Sequence, residues 1–227
     1  VQDEISVQLL QGIGITNVVQ AGDPRFDRVA EIAALPWENL VVEKFKNNAK
    51  VFIAGSTCGA SDDDLVLQFI NRNPDVKFIV VPHDLNPEPI QKYLQGVKMR
   101  AVCYSDCTVE TDFNQFQVLI YNTIGTLAML YRYGNWAYIG GGFIAGIHSV
   151  TEATIYGLPC VFGPNYQKNR PGVEMIALGA CTSVHDIETL QKWFLPLKSD
   201  SLALSKISNL ATEYTLKNTG ATAKILS

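Results

Sequence analysis

Residues 136–162 read WAYIGGGFIAGIHSVTEATIYGLPCVF. An apolar run (Ala137–Gly140) ends in a glycine turn, a segment with helical spacing follows (Ser149–Tyr156), and a second apolar run closes the unit (Cys160–Phe162). Two short apolar strands joined through a helix form the repeating unit of a parallel sheet, because parallel neighbours need a crossover, and the crossovers then cover both faces. Working outward, β-branched or aromatic runs recur at Asn17–Ala21, Val51–Ala54, Phe78–Val81, Ala101–Tyr104 and Val118–Tyr121, with amphipathic stretches between them. The alternation predicts a doubly wound α/β fold, a parallel sheet with helices on both faces.

The helices carry their own signals. Ser61 followed by Asp64 has capping-box spacing and predicts a helix over Asp62–Asn71, with Leu65, Phe69 and Ile70 as its apolar stripe and Asn73-Pro74 as its stop. Further helices are expected over Gly125–Tyr133, Ser149–Tyr156 and Gly172–Leu178, and a long one over Ser201–Lys217, where Leu202, Leu204, Ile207, Leu210 and Leu216 fall near helical spacing. Asp62-Asp63-Asp64 reads as a helix entrance with a solvated face rather than a metal site, and His185-Asp186 reads as a structural helix start.

Composition narrows the function classes. The 227 residues are 47% apolar and 18% charged, enough to bury an ordinary core, with no linker-like stretch, so residues 1–227 are expected to form one domain in which 201–227 is a C-terminal helix and tail. A formal charge of −4 without a Lys/Arg cluster argues against a nucleic-acid partner. The most apolar stretch, 136–162, is broken by Gly140–Gly142, His148, Glu152 and Pro159 and falls short of the ~20 apolar residues of a membrane span. Five scattered cysteines without a C-x-x-C pair, and three dispersed histidines, suggest reduced thiols in a cytosolic protein and no metal or cofactor.

Ligands of open parallel sheets bind beyond the C-terminal strand ends. The residues there are Gly55-Ser56-Thr57, Pro82-His83-Asp84, Asn122–Thr126, Gly140–Phe143 with Gly146–Glu152, and Gly163-Pro164-Asn165. The cluster of glycines from Gly134 to Gly157 lets backbone approach a phosphate or carboxylate closely, although a tight turn without a ligand would use the same residues. It is neither a Walker loop nor a dinucleotide turn. Glu152 follows His148 by four residues, so both can face one cleft, and a carboxylate there can accept two hydrogen bonds from a ribose diol or serve only as a helix-dipole partner. His83 can stack on a base or be an ordinary surface histidine.

Taken in order, Gly55-Ser56-Thr57, Val81-Pro82-His83, Asn122–Leu127 with Leu130-Tyr131, Gly140–Phe143, Gly146–Glu152 and Phe162-Gly163-Pro164 resemble the 3-deoxy-D-manno-octulosonic acid (Kdo) transferases of lipopolysaccharide synthesis. The early Gly22-Asp23-Pro24-Arg25-Phe26-Asp27 is similar to that family's Gly-Asn-x-Lys-Phe-Asp segment at the start of its C-terminal domain. The resemblance implies a Rossmann-like fold, the C-terminal donor-binding domain of a two-domain GT-B glycosyltransferase. It implies CMP-Kdo as donor and lipid A precursor as acceptor, with the full-length enzyme at the cytoplasmic face of the inner membrane and this chain soluble. The acceptor site, catalytic base and membrane contact would belong to an N-terminal domain absent from this chain, which suits a start at Val1 rather than Met, so no catalytic residue is expected here.

By motif, the family's CMP contacts fall on Pro82 and His83, on Ile124, Gly125 and Thr126, and on Ser149, Val150, Thr151 and Glu152; Gly141 and Gly142 of the glycine turn and His148 beside it complete the expected donor contacts. His83 stands where the family often has Arg, Thr126 where it often has Glu, and Ser149 where Asn usually follows the His; the backbone donors and Glu152 are kept. Two other readings of the same residues are a GT-B donor domain for a UDP-sugar and a non-catalytic nucleotide-binding module.

Overall fold

The computed structural model describes every residue from Val1 to Ser227. Seven strands form one parallel sheet: β1 (Val51–Thr57), β2 (Lys77–Pro82), β3 (Ala101–Cys103), β4 (Val118–Ile120), β5 (Trp136–Ile139), β6 (Cys160–Phe162) and β7 (Cys181–Ser183). Their order is β3-β4-β2-β1-β5-β6-β7, so the direction of winding reverses between β1 and β5. The helices are α1 (Glu4–Gly12), α2 (Pro24–Ala34), α3 (Leu40–Lys46), α4 (Gly59–Arg72), α5 (Pro87–Gly96), α6 (Leu127–Leu130), α7 (Thr151–Thr154), α8 (Arg170–Ala177), α9 (Ile187–Ser199), α10 (Ser201–Lys217) and α11 (Ala221–Leu226). None is long and apolar enough to cross a membrane.

Alternation along each strand divides the core. On β1, Val51 and Ile53 join Phe45, Tyr131 and Phe162 on one face, while Phe52 and Ala54 join Phe69, Phe78, Trp136 and Phe194 on the other. Both sets are fully enclosed, and each large apolar side chain removed from water stabilises the sheet by about 2 kcal/mol.

Several expectations need correction. Asn17–Ala21 is not a strand: Val19 is exposed, and the segment satisfies its backbone against the chain start, with the Val1 ammonium donating to the Val19 carbonyl (2.8 Å) and the Ala21 N–H to the Val1 carbonyl (2.9 Å). β7 was not anticipated, because Cys-Thr-Ser is too short and polar to read as a strand; pairing with β6 holds it. Three predicted helices shrink or shift: Gly125–Tyr133 divides into α6 and a 3-10 turn over Tyr131–Tyr133, Ser149–Tyr156 reduces to the single turn of α7, and Gly172–Leu178 begins earlier, at Arg170, where the Asn169 side chain caps Gly172 N–H at 3.0 Å.

α4 starts at Gly59 rather than Asp62, and the acidic triplet is not a solvated face. Asp62 and Asp63 are buried, and only Asp64 is exposed, paired with Lys92 at 2.8 Å. Asp186 opens α9 with a capping box to Thr189, as expected from His185-Asp186.

α10 forms over Ser201–Lys217 as predicted. It is not fully enclosed: Ala211 and Thr215 are buried, whereas Leu202 and Leu216 are exposed. The Thr215 hydroxyl meets that of Thr154 at 2.9 Å, so the C-terminal helix braces α7 from behind. The chain ends return to α2, where the Asp27 carboxylate accepts from the N–H groups of Gly220 and Thr222.

Candidate functional site

Because every strand is parallel, all C-terminal ends lie along one edge, and the order β4-β2-β1-β5 sets four loops side by side. These are the loops of Ile124–Thr126, Pro82-His83, Thr57-Cys58 and Gly140–Glu152. The sequence-selected residues therefore share one edge even though they span 71 positions.

The glycine turn is required first by backbone packing. A Cβ on Gly140 would lie 1.9 Å from the Ser56 carbonyl oxygen, and one on Gly142 would lie 2.6 Å from the Gly163 nitrogen. Gly141 has φ +91°, in the region that L side chains avoid. Its N–H donates to Asp62 at 2.6 Å, and its carbonyl accepts from Ile144 and Gly146, so both backbone polar groups of Gly141 are used inside the protein. The expectation that the turn's own amides face a phosphate is corrected for Gly141. The open donors lie further on: the N–H groups of Ser149, Val150, Thr151 and Glu152 have no acceptor within the chain.

Above the turn, the rings of His83 and His148 stack with centroids 4.5 Å apart and planes 29° from parallel. The His83 N–H is fixed by the Thr57 carbonyl at 2.9 Å, and the His148 N–H by the Gly140 carbonyl at 3.0 Å. Burial and the neighbouring His83 push the His148 imidazole below its ordinary pKa, with Asp62 pulling the other way.

Glu152 sits half-buried in the one turn of α7. Burial pushes its carboxyl above the usual range, the Ser149 hydroxyl opposing, and no cation is paired with it. The Ser149 and Thr151 hydroxyls are 3.1 Å apart on the same turn. On the β4 side, Ile124 is 85% exposed, Gly125 has φ +88° with open space beside it, and the Thr126 hydroxyl meets that of Tyr121 at 3.2 Å. Pro82 is buried at the end of β2 and carries His83 outward.

Arg25 was not singled out as a site residue by the sequence. It lines both a cleft of about 740 Å³ beside Gly146, Ile147 and Asn169 and a smaller niche against Ser149–Thr151. Its guanidinium is held by the N-cap Asp23 at 2.6 Å, which raises its pKa. The signal available was its place in the Gly-Asp-Pro-Arg-Phe-Asp segment. Arg25 and residues Ser149–Thr151 meet at one niche, where a guanidinium and open amides can take an anion; the stacked imidazoles and the Glu152 carboxyl stand on the same strand-end edge, where a carboxyl can accept from a diol.

No family model matches the chain. A bifunctional glycosyltransferase/methyltransferase of Fusobacterium nucleatum is 30% identical over 130 residues, 56% of this chain and 20% of that protein. A 3-deoxy-D-manno-octulosonic acid transferase of Rickettsia bellii is 26% identical over 179 residues, 74% of this chain and 41% of the relative. The chain thus spans less than half the length of the curated relatives it matches. Among solved structures, the C-terminal CMP-Kdo binding domain of WaaA from Acinetobacter baumannii matches with a TM-score of 0.66 at 18% identity, over 84% of this chain and 97% of that one. In sequence the chain is similar to 3-deoxy-D-manno-octulosonic acid transferases, and its fold is the Rossmann-like parallel sheet of a GT-B glycosyltransferase's C-terminal domain.

Proposed function

We propose that these residues form the donor-binding domain of a glycosyltransferase that moves Kdo from CMP-Kdo onto a lipid A precursor. The observation that carries the reading is the pairing of four open amides, Ser149–Glu152, with a half-buried Glu152 carboxyl that has no cation partner. Amides without acceptors suit a phosphate, and a carboxyl with only the Ser149 hydroxyl beside it keeps acceptor capacity for a ribose diol; both lie on one turn. The sequence similarity to 3-deoxy-D-manno-octulosonic acid transferases supports Kdo as the sugar of this reading, and the likeness in fold to a CMP-Kdo binding domain is in keeping with cytidine monophosphate as its nucleotide.

In this reading the base lies near His83 and the Ile124–Thr126 loop, and the ribose hydroxyls donate to Glu152. The acceptor hydroxyl attacks the anomeric carbon from the face opposite CMP, the bond from that carbon to the phosphate oxygen breaks, and configuration inverts. The departing phosphate charge is met by the amides at the start of α7, which need no reorganisation at the moment of transfer. The acceptor's proton passes to a base in an N-terminal domain of the kind the family carries, which also supplies the lipid A site and contact with the inner membrane at its cytoplasmic face.

A transfer assay on the complete natural gene product tests the reading, with CMP-Kdo, UDP-sugars and tetraacylated lipid A precursor offered side by side. Kdo transfer from CMP-Kdo is expected. Turnover of a UDP-sugar in its place would overturn it. The 227 residues alone should transfer nothing, and transfer by them would refute the assignment of acceptor site and base to another domain.

A further inference from the structure

Asp62 is a carboxylate with no exposed surface and no cation beside it. Burying such a group is costly unless its oxygens are fully used, and here they are. One oxygen accepts from the Cys58 N–H (2.9 Å) and the Gly141 N–H (2.6 Å); the other accepts from the Tyr138 hydroxyl (2.5 Å). The three donors come from the loop after β1, the turn after β5 and β5 itself, so this single side chain on α4 spans the place where the strand order reverses.

We propose that Asp62 is the positioning residue of the donor crevice, its buried carboxylate setting the Gly140–Gly142 turn and, through that turn, the seat of His148.

Two contacts transmit the effect. The His148 N–H is held by the Gly140 carbonyl, and the His148 ring rests against Gly141, where an added Cβ would come within 3.1 Å of the ring. The Gly140 carbonyl and the Gly141 N–H belong to one peptide unit, so turning it would release the His148 N–H, and the adjoining Gly141 carbonyl, which accepts from Ile144 and Gly146, would shift with it and loosen the segment leading to Ser149–Glu152. Asp62 reaches the crevice through the backbone of Gly141 and through its charge on His148. The inference rests on the donor-site reading for its consequence in binding, but not for its geometry.

The test compares the 227-residue chain with Asp62→Asn, which keeps the shape and removes the charge, by three readouts: the Gly141 amide resonance, the titration of the His148 imidazole, and calorimetric titration with CMP. The charged groups facing His148 are Asp62 from α4 and His83 from the end of β2, so removing the first leaves burial and the second unopposed. In the variant the Gly141 amide should move upfield, His148 should titrate at lower pH, and CMP affinity should fall about tenfold, the loss of one charge-assisted hydrogen bond. A carboxylate that only braced the fold would lower the melting temperature and leave the His148 titration and the CMP affinity in place; that result in folded Asp62→Asn overturns the proposal. If Asp62→Asn does not fold, Tyr138→Phe removes one donor and keeps the charge, so the carboxylate should hold the Gly141 N–H more tightly, moving that amide downfield and the His148 titration to higher pH, opposite to Asp62→Asn; no movement there overturns the proposal equally. Failure of the wild-type chain to bind CMP would strike at the donor reading, whereas the amide and imidazole readouts would still decide the role of Asp62.

Discussion

Gly140 faces the carbonyl of Ser56 so closely that a Cβ would lie 1.9 Å from its oxygen. The ends of β1 and β5 are thus in backbone contact, and neither can yield without breaking the ladder that pairs Gly55 with Ile139. Gly140→Ala should cost roughly 3 kcal/mol or more in urea unfolding, because the methyl meets backbone rather than a flexible side chain. Gly12→Ala, at the open end of α1, should leave stability unchanged or slightly raised. Equal stability of the two variants would mean that the strand ends are not locked together.

Glu152 separates ligand contact from helix support. Its carboxyl is pushed up by burial, so the fold disfavours the ionised form: the cost is absent below the carboxyl's unfolded pKa and grows as pH rises through its folded one. Glu152→Gln should therefore match or exceed the wild type in melting temperature at pH 7, with the difference vanishing near pH 4. CMP affinity should fall by about 1–3 kcal/mol as the ribose loses its charged acceptor. A dipole partner would behave oppositely, losing a few tenths of a kcal/mol of stability and no affinity.

The stacked imidazoles give a pH signature. Burial first, and then His83, hold His148 below its ordinary value, so it stays neutral in the fold and its stabilising contribution is lost as pH falls below the unfolded histidine range, near ~6.5. His83→Ala should move the His148 titration upward and reduce the loss of stability between about pH 7 and 5.5. An NMR titration that finds His148 unmoved would show that the ring contact carries no electrostatic coupling.

At the far side, Asp27 joins the start of the chain to its end. Its carboxylate accepts from the N–H of Gly220 and from both the N–H and hydroxyl of Thr222, at 2.8 and 2.9 Å for the latter pair. Burial works against ionisation, yet these hydrogen bonds hold the carboxyl below the usual range, so the contribution is present at neutral pH and lost as pH falls through the folded value. Asp27→Ala should cost about 1 kcal/mol, the usual worth of such a cap, and should speed amide exchange across α11. Unchanged exchange in α11 would show that its docking depends on Ala221 packing alone.

Legibility in the sequence followed length and apolarity. The apolar runs Val51–Ala54 and Phe78–Val81, buried on both faces, marked the strands that extend to Val51–Thr57 and Lys77–Pro82, and Ser201–Lys217 read as a helix because its spacing held over many turns. Cys181–Ser183 was invisible because pairing with β6 makes that strand, and Asn17–Ala21 misled because β-branched residues favour extended backbone without guaranteeing a partner. In the candidate site, the loops that hold the motif residues were legible because they follow recognisable strands, and the structure sets those loops side by side. Asp62 was misread, since an acidic run at a helix start ordinarily meets solvent, and nothing local to Ser61–Asp64 announces donors at Tyr138 and Gly141. Arg25 escaped because its neighbour Ser149 lies 124 positions away and only the closed fold brings them to one niche.

The central claim is that the crevice between His83, Ile124–Thr126 and His148–Glu152 holds cytidine monophosphate as part of a sugar donor. Calorimetric titration of this chain with CMP, UMP and UDP, followed by amide NMR with the bound nucleotide, tests it directly. CMP should bind more tightly than either uridine nucleotide, with the largest shifts at Ser149–Glu152, His83 and Gly125. Preference for UDP, or CMP shifts that leave Ser149–Glu152 untouched, would contradict the account.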